Sequence, residues 1–232
     1  MKRSVALSSA VLVGSLALAL ALRPSQAQTE AAPTFHHAAN ITHAFLPLSR
    51  IQQEVLEGKE DGKSVRVVRT RLTSKKRFVI HNQSITPLTL EDREFEEGKL
   101  KEVTLDYFAQ DDVGNVYYLG EDVDNYNDGK VVGHGGAWSY GKGHAQLGVM
   151  LPAHPKVGDK YQSENVPGVT VEDDEIVSDS ETFIALGKTY QGCLKIKETL
   201  SDGGVEYKIL APGVGMVQDD TLKLISRKET KP

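Results

Sequence analysis

Histidine is the residue type in this chain whose spacing could do chemistry. His134 and His144 flank a glycine-rich stretch, and His154 follows ten residues after His144. Imidazole nitrogens suit copper and zinc, although this spacing matches no fixed ligand motif. His134, His144 and His154 are therefore candidate ligands of a Cu or Zn ion, held on loops of a rigid sheet. The alternative is that they are surface histidines at loops and hairpin ends.

Signatures of catalysis are missing from the sequence. It contains no G-x-S-x-G elbow, no H-E-x-x-H zinc motif, no phosphate-binding P-loop and no G-x-G-x-x-G after a strand. The segment Gly133–Gly136 has a superficial likeness to an oxyanion-hole loop, but no nucleophile motif accompanies it. The sequence thus favours a non-catalytic protein, and a hydrolase with an unrecognised site stays open as an alternative.

Aromatic side chains in the candidate strands offer a second kind of site. Tyr107, Tyr118 and Trp138 are large and amphipathic, as residues of ligand surfaces often are. If the sheet is curved and open at one end, its concave face lined by these residues is the expected ligand surface. Packing against cross-strand neighbours in half-buried strands would explain the same residues without a ligand.

Turn residues divide the chain from residue 64 onward into short runs rich in β-branched and aromatic residues, which is typical of antiparallel strands. Asn127-Asp128-Gly129 is the strongest hairpin signal, because Asp-Gly and Asn-Gly tolerate the positive φ of a tight turn. We expect an all-β fold with an antiparallel curved sheet, as a partly open barrel or a sandwich. At most one short helix is expected, over residues 47–56, where a loop followed by a strand fits equally well.

The N-terminus has the pattern of a secretory signal peptide. Lys2 and Arg3 precede the apolar run Val5–Leu22, and Ser25-Gln26-Ala27 is a small-x-small cleavage site. A membrane anchor is the alternative, because the run approaches the length that a spanning helix needs. We predict export to the periplasm or the extracellular space. The predicted organisation is a signal peptide at 1–27, a flexible leader at 28–43 and a single β-rich domain at 44–232.

Charge and cysteine content exclude several classes of function. The formal net charge of −5 removes the general attraction on which nucleic-acid binding depends, and loss of the three basic residues of segment 1–27 takes it to −8. The single cysteine, Cys193, can form neither an internal disulfide nor a Cys-based zinc site. We interpret it as a structural thiol, with a bridge between chains as the alternative. The expected partner is an unidentified ligand or envelope component, and no transmembrane segment is expected after cleavage.

Several short segments of the mature chain form a recognisable set. They are Asp106–Asp111 with Gly114–Val123, Gly136–Trp138, Val157–Tyr161 and Ala211–Val217. This set resembles secreted bacterial proteins of unknown function that are related to the pilus-associated TapB proteins. The resemblance covers most of the mature chain and implies an exported, antiparallel all-β domain. It implies no catalytic residues, so the expected role is a binding or structural module of the cell envelope.

Overall fold

The computed structural model describes residues 32–230, and almost all of its regular structure is β-strand. The expected all-β class is confirmed. The strands are β1 (Ile51–Glu60), β2 (Lys63–Leu72), β3 (Phe78–Ile80), β4 (Gln83–Ile85), β5 (Leu88–Glu96), β6 (Lys99–Gln110), β7 (Val116–Asn127), β8 (Lys130–Gly133), β9 (Trp138–Ser139), β10 (Gly148–Leu151), β11 (Lys160–Val166), β12 (Thr170–Ala185), β13 (Lys188–Thr199), β14 (Val205–Ala211), β15 (Gly215–Asp219) and β16 (Leu222–Glu229). The predicted signal peptide, 1–27, lies outside the described residues.

Fourteen of these strands form one antiparallel sheet, and β3 with β4 forms a separate hairpin. The order is β10-β7-β6-β5-β2-β1-β16-β15-β14-β13-β12-β11, and β8 and β9 pair with β7 beside this path. The sheet curls until its end strands β10 and β11 lie next to each other. Near them the Gln146 amide donates to the Asn165 carbonyl at 2.9 Å. The sheet is nevertheless not closed into a barrel, which agrees with the expected open, curved sheet.

The strongest predicted hairpin lies between β7 and β8. Asn127 pairs with Lys130, and the two residues between them have positive φ angles, 49° at Asp128 and 75° at Gly129. These angles suit a two-residue turn whose twist matches the flanking strands. The candidate helix at 47–56 is instead a 3₁₀ turn, Leu48–Arg50, followed directly by β1. The alternative of a loop followed by a strand is therefore the nearer description.

Residues 32–43 of the predicted leader pack against the sheet. Phe35 and Ala38 are buried in an apolar cluster with Tyr107, Tyr117 and residues of the β3–β4 hairpin. Ile41 is fully buried in the core on the inner side of the curl. The sequence of this segment predicts a flexible leader because its composition shows no period. Three buried apolar residues spaced three apart remove apolar surface from water, and backbone N–H groups of the segment donate to the side chains of Gln83, Gln110 and Asp112.

The inner side of the curled sheet carries the largest core. Its buried members come from the 41–51 segment and from both halves of the sheet, and include Leu90, Phe108, Tyr118 and Leu194. A further cluster at another part of the sheet contains Cys193, whose side chain is free and fully buried. Burial raises the pKa of the Cys193 thiol, which fits a structural role.

Within residues 32–230 no helix is long and apolar enough to cross a membrane.

Candidate ligand cavity

A cavity of about 330 Å³ lies on the inner side of the curled sheet. Side chains from strands of both halves of the sheet line it, so the curl itself creates the space. One part of the lining is apolar, and its residues are Leu46, Leu48, Leu90, Phe108, Met150 and Met216. The volume is within the range of small-molecule sites.

Strand β5 shows how the sequence builds the rest of the lining. Its cavity-facing residues are Leu90, Asp92 and Glu94, because every second residue of a strand faces the same side. The inner face of β5 therefore changes from apolar to acidic along the strand. Strand β14 changes from apolar to charged in a similar way, since Leu210 packs in the inner core whereas basic Lys208 and acidic Glu206 face the cavity.

Strand β6 repeats this change beside β5. Phe108 is apolar, and Asp106 and Glu102 follow it on the cavity side. The register places Glu94 of β5 directly opposite Glu102. Like charges in such cross-strand pairs are destabilising. Burial raises the pKa of both carboxyls, and the charge of Glu102 adds to the increase at Glu94.

Acidic residues dominate the polar part of the cavity. Among the described residues that line it, eleven are Asp or Glu and only Arg69 and Lys208 are basic. Both basic side chains already have carboxylate partners. The Arg69 guanidinium donates to both oxygens of Asp92, with Nη2 2.7 Å from Oδ2, and Lys208 donates to Glu198. Arg69 also acts electrostatically on Asp106, and Lys208 on Asp219 and Glu172, but no other described lining residue is basic.

Asp106 and Tyr118 form the centre of the acidic part. The Tyr118 hydroxyl donates to Asp106 Oδ1 at 2.6 Å, and the Asp106 residue is only 8% exposed. No hydrogen bond or ion pair of the described residues engages Asp106 Oδ2, although the side chain lines the cavity. Burial, followed by the charge of Asp92, raises the pKa of Asp106 well above its ordinary range.

Two more carboxyls stand near this pair. Burial, together with the charges of Glu164 and Asp106, raises the pKa of Glu121 to about 9. Glu164 is held from two sides, because Trp138 Nε1 donates to its Oε1 at 3.1 Å and the Thr170 hydroxyl donates to its Oε2 at 2.5 Å. Asp106, Glu121 and Glu164 thus interact electrostatically around one end of the cavity.

The structure brings together two of the three aromatic residues that the sequence singled out. Tyr118 lines the cavity, and Trp138 packs edge-on against it with ring centroids 5.2 Å apart. Tyr107 lies on the other face of the sheet, because it neighbours cavity-facing Phe108 in the same strand. Its hydroxyl donates to Asp122 and its ring lies under the Lys76 ammonium, 4.2 Å away. Tyr107 therefore does not belong to the concave face with Tyr118.

The three candidate metal ligands have separate surroundings. His134 Nδ1 lies 2.8 Å from the Val123 carbonyl oxygen and 3.0 Å from Asp124 Oδ1, and its side chain is exposed. His144 lines an outer groove together with Trp138, and His154 lies near enough to buried His43 to affect its pKa. Across residues 32–230, no group of three His, Cys, Asp or Glu side chains has the geometry to hold a metal ion.

The acidic residues of the cavity were missed by the sequence reasoning. Charged residues that alternate with apolar ones predict a solvated strand face. The pattern therefore places Asp106 and Glu121 on the surface, whereas the structure places them in the cavity lining. One pattern does indicate the cavity. The inward-facing residues of β5 and of β6 change from apolar to acidic at neighbouring positions of the two paired strands. Finding it requires the strand register, which places Glu94 opposite Glu102.

Comparison of the chain with protein-family models, with curated proteins and with solved structures finds no match in any of the three.

Proposed function

We propose that this protein is a non-catalytic binding protein that holds a small organic molecule inside the curled sheet. The observation that carries this proposal is the cavity of about 330 Å³, which is lined by both apolar and polar residues. A concave, partly apolar site with a few convergent polar groups is the usual form of a small-molecule site.

The described part of the lining lacks the groups of a serine or cysteine hydrolase. None of the described residues that line the cavity is Ser, Cys or His, which are common nucleophiles and bases of hydrolases. The signal-like segment 1–27 supports a role outside the cytoplasm, in the periplasm or beyond the cell. The resemblance to TapB-related secreted proteins supports the same setting and adds no chemistry.

A cavity-filling variant tests the proposal. Val67 faces the cavity from β2, whereas its neighbour Val68 lines a groove on the opposite face of the same strand. We expect Val67→Phe to fill the site and the matched control Val68→Phe to leave it open. The measurement is thermal unfolding of each protein with a chemically mixed set of small fragments, followed by titration of each hit using the fluorescence of Trp138.

Trp138 is the chain's single tryptophan and contacts Tyr118 of the cavity wall, so its emission should report occupancy. Fragments that stabilise the wild type and Val68→Phe but not Val67→Phe would support the proposal. Hits that bind all three proteins alike would show that they bind elsewhere. A complete lack of binding fragments would argue against a small-molecule function.

A further inference from the structure

The charge balance of the cavity restricts what it can hold. Its two basic groups are engaged by Asp92 and Glu198, and within residues 32–230 no ion pair involves Asp106, Glu121 or Glu164. An anionic ligand would meet eleven acidic residues and find no unengaged cation among the described lining residues. A positive ligand group would favour the ionised form of these carboxyls and supply their countercharge, because buried charges need a partner.

The Asp106 carboxyl shows where such a group would bind. Its Oδ1 is fixed by the Tyr118 hydroxyl, which orients the carboxyl, while Oδ2 has no partner among the described residues. The residue is only 8% exposed, and its Oδ2 is not among the fully enclosed side-chain atoms, so this oxygen opens to the cavity. An unengaged oxygen on a buried, oriented carboxyl is an acceptor for one ligand N–H donor.

The opposite part of the lining would hold an apolar body. Phe108 stacks on Tyr118 with ring centroids 4.9 Å apart, and Leu90, Met150 and Met216 continue the apolar surface. Methionine adapts to ligands of different shape because its side chain is flexible and polarizable. The cavity therefore combines an apolar surface around Phe108 with acidic groups beside it, and Val67 adds apolar surface next to Glu94.

We propose that the ligand is an amphiphilic organic cation, whose ammonium group binds Asp106 and Glu121 and whose apolar body lies against Phe108, Met150 and Met216. This inference rests on the proposed function and names its ligand class. An ammonium group suits the site better than a metal ion, because its three donors can engage carboxyls that do not converge on one point. The geometry of the described residues offers no such point for a metal.

The raised pKa values of the carboxyls support this proposal. Burial and neighbouring carboxyls raise the pKa of Asp106 and that of Glu121, which favours the protonated form of both side chains. The other charged groups that act on them are Asp92 of β5, Arg69 of β2, Glu102 of β6 and Glu164 of β11. A bound ammonium group would lower the pKa of each carboxyl, so binding should release protons.

The test compares three probes with the same chain length: hexylammonium, hexanol and hexanoate. Each is titrated into the purified protein at neutral pH while Trp138 fluorescence is followed. We expect hexylammonium to bind, hexanol to bind at least about tenfold more weakly, and hexanoate not to bind. Asp106→Asn and Glu121→Gln should each weaken hexylammonium at least about tenfold, because a charge-assisted hydrogen bond is lost.

Asp179→Asn is the matched control, because it removes one negative charge from an exposed side chain. Thermal unfolding verifies that each variant is folded, and Glu121→Gln provides an independent test should Asp106→Asn unfold. Stronger binding of hexanol or hexanoate than hexylammonium would overturn the ligand class and leave the binding function standing. If Asp179→Asn weakens hexylammonium binding as much as Asp106→Asn or Glu121→Gln does, the proposal is also overturned. The loss of one negative charge anywhere on the protein would then explain the weaker binding.

Discussion

Asp111 organises the turn that precedes β7 with a single carboxylate. Its Oδ1 accepts hydrogen bonds from the amides of Val113, Gly114 and Asn115, at 3.1, 2.8 and 2.8 Å. Its Oδ2 accepts from the Asn115 side chain at 2.8 Å and from the Tyr117 hydroxyl at 3.1 Å. The residue is 5% exposed, so most of these donors would not regain water if the carboxylate were removed.

We expect Asp111→Ala to lower the free energy of unfolding by about 2–4 kcal/mol, because several buried donors lose their acceptor. Chemical denaturation at neutral pH measures this change. The control Asp179→Ala removes an exposed carboxylate and should change stability by less than about 0.5 kcal/mol. Equal effects of the two substitutions would show that the Asp111 network does not stabilise the turn.

At the scale of elements, the approach of the two sheet ends depends on Gly148 at the start of β10. A Cβ placed there would lie 2.0 Å from the Ser163 carbonyl oxygen of β11 and 3.2 Å from that of Tyr118 in β7. Backbone on both sides leaves no flexible side chain that could move away. Only glycine therefore lets β7, β10 and β11 approach this closely.

Gly148→Ala should separate the sheet ends and cost about 2–3 kcal/mol of unfolding free energy, a magnitude typical of overpacking. Gly133→Ala is the matched control, since the nearest atom to its added Cβ is Asn125 Oδ1 at 3.5 Å, an ordinary contact. Denaturant titration of both variants gives the comparison. A neutral Gly148→Ala would mean that the contact between β10 and β11 is not needed for stability.

Much of the element order could be predicted from the sequence, because local chemistry determines it. The Asp128-Gly129 turn and the alternating strands follow from backbone preferences that act over a few residues. The cavity depends on register and curvature, which join residues far apart in the chain. The pairing of β6 with β7 illustrates the limit, because the step from Asp106 to Phe108 lies opposite the longer step from Glu121 to Tyr118. The extra residue in β7 lets both Tyr118 and Glu121 face the cavity, which strict alternation along the sequence does not predict.

At the scale of the whole molecule, an acidic interior should make stability depend on pH. Glu121 has an ordinary pKa of 4.5 when unfolded and a pKa of about 9 when folded, because burial and the charges of Glu164 and Asp106 favour its neutral form. Between these values the folded state binds more protons than the unfolded state. Its contribution is therefore fully present below about pH 4.5 and is lost as pH rises to about 9.

We expect the free energy of unfolding to fall between about pH 5 and pH 9, a window that follows from the raised pKa of Glu121. Glu121→Gln imitates the protonated side chain, so its stability should decrease less steeply over this range. Denaturant titrations at several pH values compare it with the wild type and with Asp179→Asn, which should keep the wild-type slope. An unchanged slope in Glu121→Gln would contradict the assigned pKa shift.

The central claim is that the curled sheet encloses a site for a small organic cation. Calorimetric titration of hexylammonium chloride into the wild type, Val67→Phe and Val68→Phe at neutral pH tests it most directly. The claim predicts saturable binding to the wild type and to Val68→Phe, and none to Val67→Phe, in which the added ring fills the cavity. Absence of binding to the wild type, or equal binding to Val67→Phe, would contradict it.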